Sequence, residues 1–173
     1  MSRGYAVNWV TVRNTVIVND RAEITVEMLD VICEGDMTTL LRDELARDGW
    51  TRESDGSMSR ETGGVTAVLS PDGKKVTVAL TRSKEVVARG IEDSGAAQAL
   101  DKAEKETSEK LRQELVRELE RAEGDVRVGI DAAIQRVYVE ALKKRAASMG
   151  TVEGMRESRG EDGEYEVVIK VRV

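Results

Sequence analysis

A chain of 173 residues with no histidine, one cysteine and a net charge of -6 is poorly equipped for most site chemistry. The commonest general base and metal ligand is missing, ordinary zinc sites are excluded, and a lone thiol cannot build an internal disulfide framework. The acidic balance, no Phe, and only two Trp and three Tyr also speak against nucleic acid, which needs cations for phosphate and rings for stacking.

Hydrophobic residues at 40% suffice for an aliphatic core, so one α+β domain over 1–173 is expected. No run reaches transmembrane length, and "MSRGYAVNWV" lacks the apolar centre of a signal peptide. No membrane partner and a cytoplasmic location are therefore expected.

The first elements are strands. Residues 5–12 alternate, with Val7 and Trp9 on one face and Val10 and Val12 on the other. Asn14 is read as a bend into a second short strand, Thr15 to Val18, and Asn19-Asp20 as a helix cap. From Ala22 to Asp48 the spacing turns helical, with Val26, Leu29, Cys33, Leu40, Leu41 and Leu45 on one stripe and Met37 alongside. Cys33 is thus expected to be a buried, inert thiol. Gly49 is the stop signal, with Trp50 just beyond it.

Turn residues follow. Asp55-Gly56 and Gly63-Gly64 flank "SMSRET", and Val65 to Leu69 reads as a strand. "SPDGK" predicts a hairpin, since Pro71 suits the first corner and Gly73 a positive φ. Lys75 to Thr81 returns, and Val86 to Ile91 reads as a further strand.

The region 95–148 is the dominant helical segment. Leu111, Leu115, Leu119, Ala122, Val126, Ile130, Ala133, Val137 and Ala141 are spaced 4, 4, 3, 4, 4, 3, 4 and 4. That is an eleven-residue period, about 3.67 residues per turn. A loop has no reason to preserve helical phase, so the stripe favours one continuous helix. Gly124-Asp125 keeps a helical hairpin open as the alternative, because Gly124 and Gly129 each cost about 1 kcal/mol inside a helix. Roughly 50 continuous residues would span on the order of 75 Å, longer than one small sheet requires. Asp101–Lys105, Glu106–Lys110 and Lys110–Glu114 are opposite charges at helical spacing on its polar face. Lys143, Lys144 and Arg145 form its one basic run, read as the cation-favouring end of a helix.

After Gly150, Thr151 to Glu157 reads as a strand, Asp162-Gly163 as a turn, and "EYEVVIKVRV" as a half-buried strand in which Tyr165, Val167, Ile169, Val171 and Val173 share a face. The two halves rhyme. Each runs from Glu-Gly-Asp through a helical segment to Gly, Arg-Glu-Ser, Asp-Gly and a Val-rich strand. Two β-α-β-β units sharing one antiparallel sheet would explain the rhyme, although such short charged motifs also recur by chance in this composition.

Carboxylates are densest at Glu34/Asp36, Glu123/Asp125 and Glu161-Asp162-Gly163-Glu164. None has the ligand spacing of a calcium loop, and no pocket-lining aromatics accompany them, so capping and turn roles are expected. No metal, cofactor or catalytic residue is expected, and the chain is read as a non-enzyme.

The order of strands, a helix ending "LLRDELARDGW", hairpins, a long charged helix and "DGEYEVVIKVRV" resembles accessory proteins of bacterial FtsH ternary systems. The resemblance implies a protein working beside an AAA+ ATPase, and carries no catalytic residues with it. The sequence therefore describes an α+β fold, an antiparallel sheet packed by helices, and an adaptor that associates through Leu111, Leu115, Leu119, Val126, Ile130 and Val137. Its expected partner is a second copy or an AAA+ ATPase-system component. The alternative is a small-ligand or nucleotide-binding module using the open sheet face near Trp9, Trp50 and Tyr165.

Overall fold

Alternating burial carries the first strand well past its polar residues. In a computed structural model describing residues 8–91, 95–159 and 165–172 (side chains of 159 and 165 excepted), β1 runs without interruption over Trp9–Thr25. Val10, Val12, Val16, Val18, Ala22 and Ile24 turn inward, and the odd positions face outward. Neither expected break occurs. Asn14 stays in the strand and donates its amide to Glu104 Oε1 at 2.7 Å, and Asn19-Asp20 caps nothing.

The first helix is correspondingly shorter than its apolar spacing suggested. Residues 22–25 belong to β1, and α1 spans only Glu34–Arg47. The β-branched run Ile24-Thr25-Val26 suits a strand better than a helix, and Val26 donates its N–H to Lys74 O at 2.8 Å. Val26, Leu29 and Cys33 therefore never shared a helical face. Cys33 is exposed rather than buried, at the N-cap position, with its thiol 2.9 Å from Asp36 Oδ2. Glu34 and Asp36 occupy the first helical turn, where negative charge meets the positive end of the helix dipole. Met37, Leu40, Leu41 and Leu45 form the buried face.

The helix ends where Gly49 demanded. Gly49, at φ 86°, donates to Ala46 O at 3.2 Å, and Trp50 donates to Leu45 O at 3.0 Å. These two bonds are the Schellman pattern, which needs a left-handed residue at this point and sets the next side chain against the last helical turn. Trp50 is accordingly buried.

Three short strands follow: β2 (Thr51–Arg52), β3 (Met58–Thr62) and β4 (Val65–Leu69). Then β5 runs over Lys75–Ile91, uniting the two strands expected at 75–81 and 86–91. Pro71-Asp72-Gly73 turns β4 into β5 as expected, closed by Ser70 N–H to Lys75 O at 2.8 Å and Gly73 N–H to Ser70 O at 2.9 Å. The Ser70 hydroxyl bonded to Asp72 holds that carboxyl below its usual pKa. The polar stretch Arg82 to Glu85, between the two expected strands, stays extended, since Val86, Ala88 and Gly90 resume the inward phase of Val76, Val78 and Leu80.

Helix α2 is continuous over Gly95–Met149, which excludes the helical hairpin. The two Glu-Gly-Asp triplets consequently differ in role. The first opens α1, and the second lies inside α2. A Cβ at Gly124 or Gly129 would meet nothing within 4 Å, so no packing demand offsets the helix penalty of glycine. Gly124→Ala and Gly129→Ala should each raise stability by about 1 kcal/mol, read as a higher urea midpoint; a lowered midpoint would contradict helical geometry there.

The chain closes with β6 (Thr151–Arg159) and β7 (Tyr165–Arg172), paired antiparallel. Asp162-Gly163 lies outside the described residues. The order β-α-β-β does recur, in β1-α1-β2-β3 and β5-α2-β6-β7, but the second set does not stay in one sheet: β5 joins the strands of the first set, and β6 and β7 do not. An antiparallel sheet of five strands has the order β1-β5-β4-β3-β2, and β6-β7 stand as a separate two-stranded sheet.

Contacts divide the chain into two units, residues 1–22, 61–66 and 78–123 in the first and residues 23–60, 67–77 and 124–173 in the second. In the first, Val18, Val78, Leu80, Val86, Leu111, Leu115 and Leu119 are buried, and Arg82 meets Glu118 at 2.8 Å between β5 and α2. In the second, the buried side chains include Ile24, Met37, Leu41, Leu45, Met58, Leu69, Val76, Ile130, Ala133 and Val137.

Candidate functional site

The periodic stripe on α2 was correctly placed on one face, and that face is turned inward. Leu111, Leu115, Leu119, Ile130 and Val137 are buried by the chain itself, Leu115 to 2% exposure, and Val126 is half-buried. None of the five buried residues offers a surface to a second molecule. The polar face of α2 carries the expected Asp101–Lys105 pair at 2.7 Å, while Glu106 faces Lys102 at 4.0 Å. In the basic run, Lys143 pairs with Glu140 at 2.8 Å and Arg145 donates to Val31 O at 3.2 Å.

Exposed apolar side chains also stand on the outward face of β1 and β5 in the first unit. Trp9 is 71% exposed, and Ile17, Val87 and Ile91 are also open to solvent. Arg13 and Glu85, 3.9 Å apart, share this face and bridge the two strands. Helix α2 lies on the opposite side, because Asn14 and Arg82, which hold Glu104 and Glu118, have the inward phase. The result is an open sheet face with four large apolar side chains among charged ones. Ile17, Val87 and Ile91 were not picked out in the sequence. The available signal was "TVIV" and "EVVA", where consecutive apolar residues must place one on each face of a strand.

The second unit holds a cleft of about 780 Å³ lined by residues 25–30, Glu34, Met37, Thr38, residues 72–74 and Tyr138. Tyr138 Oη accepts the Leu29 N–H at 2.9 Å, which ties the 26–33 segment to α2. Carboxylates of Glu27, Asp30, Glu34 and Asp72 rim the cleft against one cation, Lys74. Glu34, 2.7 Å from the Lys74 ammonium, raises its pKa chiefly through their hydrogen bond. In the same unit, Arg136 Nε donates to Glu44 Oε2 at 2.8 Å, and a further guanidinium nitrogen reaches Asp48 Oδ2 at 2.5 Å. The Glu44 bond is the main cause of a raised Arg136 pKa. Among the described residues no group of three or more metal-binding side chains occurs.

A family model described as FtsH ternary system domain X5 matches residues 1–173. The chain belongs to this family. Membership covers its whole length, so the likeness first carried by "LLRDELARDGW" and "DGEYEVVIKVRV" holds across both units. No curated protein and no solved structure matches. The family name describes a component of an FtsH-associated ternary system, which is consistent with an accessory role. Among the described residues, no helix of this family member is long and apolar enough to cross a membrane.

Of the aromatic trio suggested for a ligand site, two are described. Trp9 is open and Trp50 is buried, while the side chain of Tyr165 lies outside the described residues.

Proposed function

We propose that this X5 family member is a cytoplasmic, non-enzymatic adaptor that docks on another protein of its system, with the central AAA+ ATPase as its partner. The observation carrying this reading is the match of the entire chain to a family named for a multi-component system. The docking surface in this reading is the open face of β1 and β5, since exposed apolar clusters rimmed by charge mark interaction sites. Trp9 is its natural anchor, because a large ring concentrates binding energy. The helical stripe cannot serve, and self-association would likewise need a different surface. The carboxylates that were dense in sequence support a structural role: Glu34 and Asp36 open a helix, and Glu34 pairs with Lys74.

The test is co-purification of the intact chain with the AAA+ ATPase of its own system, followed by a binding titration. Trp9→Ala should leave the melting temperature nearly unchanged, because the ring is exposed, and weaken binding by about tenfold or more. Full affinity in Trp9→Ala and Val87→Arg would remove the sheet face from the account. Failure of the native chain to bind would remove the partner.

A further inference from the structure

The β6–β7 hairpin is two strands wide. Hairpins of that width are marginal alone, and their outer strands present unpaired backbone groups to any strand that fits. The two strands differ as templates. β6 carries a register shift between Val152 and Gly154, a bulge that bends its edge. β7 pairs through eight residues, rich in Val and Ile.

The outward face of β7 presents Glu166, Val168, Lys170 and Arg172. Arg172 is already held by Glu153 at 2.5 Å. Lys170 stands opposite Gly154, which has no side chain to meet it, and forms no ion pair among the described residues. Glu166 stands opposite Ser158 and accepts its hydroxyl at 3.2 Å. Val168, between these two charges, is 44% exposed. A lone edge lysine normally repels a second strand. A glutamate and a lysine placed symmetrically about one valine do the reverse when the second strand is an antiparallel copy.

We propose that β7 pairs antiparallel with β7 of a second copy, with Val168 on the two-fold axis, joining two hairpins into one four-stranded sheet. Glu166 then faces Lys170 of the other copy twice, and Val167 faces Ile169 on the inward side. Shifting the axis to Ile169 would set Glu166 against an arginine already paired and leave Lys170 against valine, so the charges select Val168. β1 is the other long outer strand, but its Arg13 and Glu23 are paired with Glu85 and Lys75.

Sedimentation of the isolated chain across the micromolar range tests this without any partner, so its outcome is independent of what the sheet face binds. The native chain should dimerise. Lys170→Glu and Glu166→Lys should each raise the dissociation constant by about tenfold or more, since both cross-strand pairs become like-charged. The double variant should recover the native value. In a Cys33→Ser background, Val168→Cys should form a disulfide-linked dimer under mild oxidation, because directly opposed strand positions lie within disulfide reach. A native chain that stays monomeric, single variants with unchanged association, or a double variant no better than either single one would overturn the proposal.

Discussion

Leu115→Arg is expected to unfold this protein rather than to separate two copies of it. Leu115 is 2% exposed in the first unit, with Leu111 and Leu119 buried one turn to either side. Truncating such a leucine to alanine costs about 2–5 kcal/mol, and an arginine adds an unpaired charge with nowhere to be solvated. Against a total stability of about 5–15 kcal/mol, that loss removes most or all of the folded population. Val116→Arg is the matched control. Val116 is 43% exposed, and a surface change of this kind stays within about 0.5 kcal/mol. Urea titrations followed by circular dichroism should show a normal midpoint for Val116→Arg and little or no folding transition for Leu115→Arg. Equal midpoints would mean that the stripe is not internal.

Arg136→Ala should be the most damaging loss of a charge. The Glu44 side chain is 4% exposed and is held by Arg136 from α2 and by Arg47 from its own helix. Removing one partner of a buried pair costs about 3–5 kcal/mol because the other charge stays behind. Arg136 is itself 43% exposed and Arg47 remains, so about 2–4 kcal/mol is expected here. Asp48→Ala, which removes a contact more open to solvent, should cost under about 1 kcal/mol. Replacing both Glu44 and Arg136 by methionine should restore much of the loss, because the stranded carboxylate is gone. A double variant as weak as Arg136→Ala would show that the stranded carboxylate is not what carries the effect.

These two sites show what sequence periodicity does and does not disclose. The eleven-residue period of α2 reported a continuous helix and identified its buried face. Periodicity, however, states that a face is covered, and is silent on whether the cover comes from the same chain. The alternation of β7, the Gly49 stop and the Pro71-Asp72-Gly73 turn were legible because each depends on neighbours within a few residues. The start of α1 was not. Val26, Leu29 and Cys33 fell on helical spacing by coincidence, while the pairing of Val26 with Lys74 that keeps this segment out of the helix spans 48 positions of sequence. Long strands were broken in the reading at Asn14 and at Arg82 to Glu85 for a related reason. Even an inward strand position accepts a polar side chain where the covering helix supplies its partner, as Glu104 does for Asn14 and Glu118 for Arg82, so local polarity does not mark a turn. The open face itself was noticed through Trp9, but Ile17, Val87 and Ile91 joined it only once β1 and β5 were neighbours.

Amide hydrogen exchange on the intact chain, free and bound to the AAA+ ATPase, addresses the division of labour between these two surfaces most directly. In the free chain, residues 111–119 and 130–141 should already exchange slowly, and binding should add protection at residues 9–18 and 85–91. Rapid exchange along 111–141 that slows only when the ATPase is added would mean that the stripe is the docking surface after all.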